Sequence, residues 1–230
     1  KMNSDKLHGV DEGKMEMPMH SEASYSPSWP EIVWFYCELA PKKSGKTTIC
    51  DGKEIFKRLS LKSKNFFMKN QILYNLKIPF NNKSAANKLK DSVDRPWFIE
   101  SQGIYDTKIN FSTNQVSMKQ KKYAVQPTRL TEELAFCNHL QIVLDRDPQL
   151  ISMSLEDETE IPEDLMNEVK QITKDLTVEI NWEDNDFVMI DNRRFMHGRT
   201  AILENEKREI INIQTLKSNF GYGESKNLNR

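Results

Sequence analysis

The sequence predicts a mainly β domain with helical insertions. Short β-branched and aromatic runs bounded by turn residues recur at 32–37, 47–50, 187–190 and 208–216. Helical periodicity is confined to the middle of the chain, at 53–59, 62–77 and 162–174. The 230 residues, 37% hydrophobic and 29% charged, suit one domain large enough to bury a sizeable core.

In chain order, residues 1–16 are polar and read as a mobile tail or loop, His8 included. A turn-rich stretch ends at Trp29-Pro30, and 32–37 reads as a buried strand. Thr47 to Cys50 is a short strand closed by the turn signal Asp51-Gly52. The helix at 53–59 shows Ile55, Phe56 and Leu59 on one face. Residues 60–95 form a helical insertion, with one helix at 62–77 and a mobile segment at 80–95 placed to act as a lid. Trp97-Phe98-Ile99 reads as a short strand, and 108–114 and 123–126 look extended. Residues 132–144 fit neither the helical nor the strand period. After an acidic loop at 156–160, Pro162 sits near the start of a helix that runs to about Lys174. Residues 177–182 alternate as a half-buried strand does, and 183–186 form a turn before the strand at 187–190.

Charge and cysteine usage narrow the class. The formal net charge of −1 gives no global field toward nucleic acid or an anionic membrane. No apolar run approaches the roughly 18 residues of a membrane span. Cys37, Cys50 and Cys137 are odd in number and form no zinc pattern or disulfide framework, so a reducing cytoplasm is expected. The polar start of the given sequence does not read as a signal peptide, and none is expected there.

The chemistry centres on His20-Ser21-Glu22. In an extended segment, residues i and i+2 share a face, so one imidazole and one carboxylate would converge. Far along the chain, His197 offers a second imidazole. Two His and one carboxylate on one side of a metal form the facial triad of non-haem Fe(II) oxygenases.

A rival reading is a phosphate loop. Gly45-Lys46-Thr47 has the ending of a Walker A motif, and 187–191 imitates a Walker B strand ending in Asp191. The Gly required five positions before Gly45 is Ala40, and Pro41 after it removes an amide donor. An ATP-binding protein is therefore the weaker alternative, beside a non-catalytic jelly-roll binding protein.

Taken together, Met19-His20-Ser21-Glu22, Trp34-Phe35-Tyr36-Cys37, Ser44-Gly45-Lys46-Thr47, Trp182 with Asp186, Asp191-Asn192-Arg193 and His197 followed by Arg208 resemble the taurine dioxygenase and clavaminate synthase superfamily. These are Fe(II)- and 2-oxoglutarate-dependent oxygenases, and the likeness is nearest to the syringomycin-type hydroxylase branch. It spans about residues 17–216. It implies a double-stranded β-helix, a jelly roll of two packed sheets.

The resemblance also implies roles. His20, Glu22 and His197 match the iron ligands. Thr47, 27 residues after His20, matches a Thr that touches 2-oxoglutarate. Arg208, 11 residues after His197, matches the Arg that pairs with the distal carboxylate of 2-oxoglutarate. The carboxylate at Glu22 argues against the halogenases of the superfamily. Asn212 stands where taurine dioxygenase has a sulfonate-binding Arg, which argues against taurine. Asn185 replaces the usual Gly of a left-handed turn, a position that Asn also tolerates. Only 19 residues precede His20, so an N-terminal portion of the family is expected to be absent from this chain.

Each of these residues has an ordinary alternative. Thr47 could be a plain strand residue, Arg208 a surface partner of Glu204 or Glu206, and His139 a satisfied core or pocket histidine. Tyr25, Arg199 and Asn212 are candidates for substrate contact. The implied activity is oxidation of an unactivated C–H of an amino acid or carrier-bound aminoacyl substrate. Fe(II), 2-oxoglutarate and O₂ would be consumed or used, with release of succinate and CO₂. The expected partners are a small molecule, presented on a carrier protein in one version, with no nucleic acid or membrane, and an oligomer is left open.

Overall fold

A computed structural model describes residues 8–9, 13–26, 29–79, 105–110 and 115–215. The expected lid at 80–95 and the strand at 97–99 lie outside the described residues.

Two four-stranded antiparallel sheets build the jelly roll. One has the order β1 (His8–Gly9), β14 (Glu209–Thr215), β3 (Ile32–Leu39) and β12 (Phe187–Asp191). The other has the order β11 (Val178–Glu179), β4 (Thr47–Asp51), β13 (Phe195–Arg199) and β2 (Met17–His20). Alternation along each strand decides what lies between them. Val33, Phe35, Cys37, Ile190 and Ile210 from the first sheet pack with Trp182, and Ile49 and Phe195 from the second sheet close against them.

The opposite face of the second sheet carries the larger core. Met19, Cys50 and Met196 point away from the sandwich and meet the helices and a third sheet. That sheet has the order β10 (Ile151–Leu155), β5 (Gln71–Pro79), β7 (Gln115–Tyr123) and β6 (Tyr105–Asn110). A two-stranded ribbon pairs β8 (Val125–Pro127) with β9 (Leu134–Phe136). Among the described residues the helices are α1 (Gly52–Arg58), α2 (Leu61–Lys69), α3 (Leu140–Leu144) and α4 (Glu163–Leu176). In α4, Leu165, Met166, Val169 and Thr173 are buried at helical spacing, while Glu163 and Asp164 occupy the first turn where the helix dipole favours acids.

Several sequence expectations change. The helix expected at 62–77 stops at Lys69, and Gln71 onward is the central strand β5. Ile72, Leu73 and Leu76 fit a helical stripe equally well, but pairing on both edges with β7 and β10 makes this segment a strand. Asp51-Gly52 is not a hairpin turn: Asp51 ends β4 and caps α1, its side chain accepting from Lys53 N. The stretch 132–144 contains both periods in succession, as β9 and then α3. Only Val178–Glu179 of 177–182 forms a strand, and both residues are exposed. The described part of 1–16 is tied down: His8–Gly9 pairs with Asn212 and Ile211, and Ile202 N donates to Lys14 O. No helix among the described residues is long and apolar enough to cross a membrane, and all three cysteines are free and buried.

Candidate metal centre

Strand pairing brings the two imidazoles together. His20 and His197 are direct cross-strand partners of β2 and β13, and such pairs hold their side chains within contact. Their ring centroids lie 4.5 Å apart. Glu22 joins them differently from the sequence expectation. The strand ends at His20, so Glu22 does not reach the site as the i+2 residue of an extended segment. It arrives through a turn.

That turn is held by Asn192, which is fully buried. The Asn192 Oδ1 accepts from Glu22 N at 2.8 Å, and its Nδ2 donates to Glu22 O at 3.0 Å. The same amide donates to Pro30 O, and Ser21 Oγ donates to Asn192 O. Trp29 Nε1 donates to Ser21 Oγ, and Ser21 N donates to Asn138 O. Both faces of the Glu22 peptide are thus fixed from the β12–β13 connection. Asn192 stood within a motif quoted from the sequence, but with no role; nothing in one sequence shows that an amide 170 residues away will clasp the turn.

The three ligand atoms all lie within 4.8 Å of one another. Glu22 Oε2 is 3.8 Å from His20 Nε2 and 3.7 Å from His197 Nε2. His20 Nδ1 lies 2.9 Å from Pro18 O, and donation there leaves the Nε2 lone pair facing the centre. Burial works against the charge of Glu22, yet hydrogen bonds and positive charge from His197 and His20 outweigh it and hold the carboxyl well below the usual range. Burial, then the neighbouring His20, lowers the pKa of His197. One carboxylate and two imidazoles converging on one point are the donor set that a divalent first-row metal takes.

A cavity of about 440 Å³ opens over this centre. On one side β4 and β13 place Thr47 directly across from Arg199, and β14 contributes Asn212 and Gln214. Arg208 reaches in just before β14, and its Nη2 donates to Thr47 Oγ1 at 3.4 Å. Trp182 Nε1 donates to the same oxygen at 2.9 Å. Burial and the facing Arg199 push the Arg208 pKa down to about 10, so the guanidinium remains charged at neutral pH. Arg208 does not pair with Glu204 or Glu206; Glu206 instead accepts from the backbone of Lys42 and Lys43. On the other side stand Tyr25, Leu76, His139, Ile142, Arg146 and Ile151. His139 sits edge-on to both His20 and Tyr25, and burial pushes its pKa down to about 3.

All the sequence candidates therefore line one cavity: His20, Glu22, His197, Thr47, Arg208, Tyr25, Arg199 and Asn212. Arg199 has a second task, since its Nη2 donates to Gly13 O and Met15 O. Asn185 adopts the left-handed conformation, with φ +75, and its N donates to Cys37 O. The phosphate-loop reading fails here. Lys46-Thr47 leads into strand β4 and not into a helix N-terminus, so no set of amides faces a phosphate.

The model of the taurine catabolism dioxygenase TauD, TfdA family matches residues 2–214. The chain belongs to the TauD/TfdA family. Its solved structural neighbours show the same fold at low identity. PvcB from Pseudomonas aeruginosa is 14% identical with a TM-score of 0.55, covering 92% of this chain. A putative alpha-ketoglutarate-dependent taurine dioxygenase from Burkholderia xenovorans is 13% identical with a TM-score of 0.57, covering 94% of this chain. AAD-2, solved with Mn(II) and N-oxalylglycine, is 14% identical with a TM-score of 0.53, covering 91%. The chain spans 61%, 66% and 71% of these three neighbours. No curated protein matches it by sequence.

Proposed function

We propose that this TauD/TfdA chain is an Fe(II)- and 2-oxoglutarate-dependent dioxygenase that oxidises an unactivated C–H of an amino acid or carrier-bound aminoacyl substrate. The observation that supports it most is one cavity holding both a His-Glu-His ligand set and the half-buried Arg208. Bound Fe(II) with 2-oxoglutarate would supply O₂ activation, with succinate and CO₂ as co-products.

The chain's own residues do the binding and orienting. His20, Glu22 and His197 would hold the metal on one face and leave the remaining positions toward the cavity. Arg208 would grip the far carboxylate of 2-oxoglutarate with its planar fork. Thr47 Oγ1 already accepts from Trp182 and Arg208, which leaves its own hydrogen to donate to that carboxylate. Tyr25 and the apolar wall at Leu76, Ile142 and Ile151 would place the target carbon. Asn212 is a neutral amide and cannot offset the buried charge of a sulfonate, so taurine is not the expected substrate.

The test is succinate formation from 2-oxoglutarate under Fe(II) and O₂, over background, for a panel of amino acids, aminoacyl carriers and taurine. Stimulation by the amino-acid set supports the proposal, and by carrier-bound forms alone identifies the carrier protein as the presenting partner. Strong coupling to taurine with none to the amino-acid set would overturn the substrate class. No succinate under any condition would return the chain to a non-catalytic binding role.

A further inference from the structure

A second cavity adjoins the metal cavity. Arg146 and Ile151 also line a second cavity of about 340 Å³, so the two spaces meet at these side chains. The second cavity runs between α3, β10 and the approach to α4. Its walls are mainly apolar, formed by Val143, Leu144, Met153, Ile161 and Met166. Leu144 is 45% exposed at this groove. Glu160 is the one acidic side chain among the described lining residues.

We infer that the substrate is an elongated N-acyl amino acid whose acyl chain lies in this second groove. The inference rests on the oxygenase reading and deepens it. Three neighbouring features give the chemistry: a metal centre, a cation that borders both cavities, and an apolar trough. An amino-acid side chain toward the metal would put the α-carboxylate beside Arg146. The amide nitrogen then points the acyl group past Ile151 into the trough. Burial and then the Glu22 charge raise the pKa of Tyr25, and the Arg146 guanidinium, which lines the same cavity, opposes them. A short free amino acid would use the first cavity alone and leave the apolar walls wet.

The experiment is binding of N-acetyl-, N-hexanoyl- and N-octanoyl-alanine by calorimetry, to the protein with Mn(II) and 2-oxoglutarate under argon and to the metal-free protein. Each methylene buried in the groove is worth roughly fourfold in affinity, so the octanoyl form should bind at least 30-fold more tightly than the acetyl form. Ile161→Trp fills the groove and should flatten this gradient while leaving N-acetyl-alanine unchanged. Leu144→Lys, at an exposed position, should weaken the octanoyl form in the same way. Arg146→Gln should weaken all three acids and leave the octanoyl-alanine amide unaffected. Equal affinity across the series, or a gradient that survives both groove variants, overturns the inference. Failure to bind Mn(II) or 2-oxoglutarate overturns the oxygenase reading instead, and the gradient on the metal-free protein still decides the groove.

Discussion

Arg208 is a half-buried cation whose buried Nε has no hydrogen-bond partner among the described residues. Such a donor is costly to bury and is satisfied when a carboxylate arrives. Arg208→Ala should therefore raise the 2-oxoglutarate requirement sharply and leave metal binding nearly intact. Truncating one side of a buried charge pair costs about 2–5 kcal/mol, or roughly a 30- to several-thousand-fold loss of affinity. Titrating 2-oxoglutarate against the Fe(II) form and following the charge-transfer absorption checks this, and an unchanged midpoint would make Arg208 a structural residue. His139 makes a second prediction. Its folded pKa of about 3 lies below the ordinary value of 6.5, because burial disfavours the charged ring. The unfolded chain therefore takes up this proton first as pH falls. The associated stability is complete above about pH 6.5 and declines toward pH 3. Between pH 6.5 and 5 the loss should reach about 2 kcal/mol. Urea unfolding of the metal-free protein across this range should show a shallower pH dependence for His139→Gln than for the parent, with His197 contributing in the same direction in both. An identical slope in the two proteins would contradict the burial argument.

At the scale of elements, the centre depends on how closely β2 approaches β13. The pairing register shifts between His197 and Arg199, at Gly198. A Cβ on Gly198 would sit 2.5 Å from Met17 O and 3.0 Å from Thr48 Oγ1. Backbone on one side and a strand neighbour on the other leave no room, so Gly198→Val must push β2 outward and carry His20 with it. The expected result is a loss of metal affinity of at least tenfold on top of a stability cost of about 1–3 kcal/mol. Metal titration beside thermal melting separates the two, and unchanged metal affinity would show that β2 tolerates the displacement. The same elements show what one sequence can reveal. β3, β4, β12 and β14 were readable as short β-branched and aromatic runs bounded by turn residues, and α4 by its helical periodicity behind Pro162. β7 was not, because Lys119, Lys121 and Lys122 dominate a strand whose buried member is Gln120. β5 was misread because its apolar residues satisfy both periods, and only its two neighbours decide between them. The candidate ligand set was readable as residue types in family order. The route by which Glu22 reaches the metal was not, since it depends on the long-range clasp of Asn192.

At the scale of the molecule, the metal ligands come from opposite ends of the chain: His20 and Glu22 precede β3, while His197 lies on β13, close to the end of the described residues. Each His belongs to the second sheet, and Phe35 of the first sheet packs edge-on against His197 at 5.1 Å between ring centroids. A bound ion therefore joins β2 to β13 at the interface between the sheets, and a ligand that binds only the folded state adds RT ln(1 + [L]/Kd) to stability. At a free metal concentration 100 times Kd this is about 2.7 kcal/mol. For a chain of this size each kcal/mol moves the melting temperature by about 2–4 °C, so Mn(II) under anaerobic conditions should raise it by roughly 5–11 °C. A chelator should reverse the shift. His197→Ala should abolish it, because a two-ligand remnant on a single strand-turn segment no longer bridges the strands. 2-Oxoglutarate should add a further increment only when metal is present, since the grip proposed for Arg208 and Thr47 would be supplemented by the metal held at His20, Glu22 and His197. Equal metal-induced shifts in the parent and in His197→Ala would mean that the stabilising ion binds elsewhere, and the centre formed by β2 and β13 would lose its role in holding the sheets together.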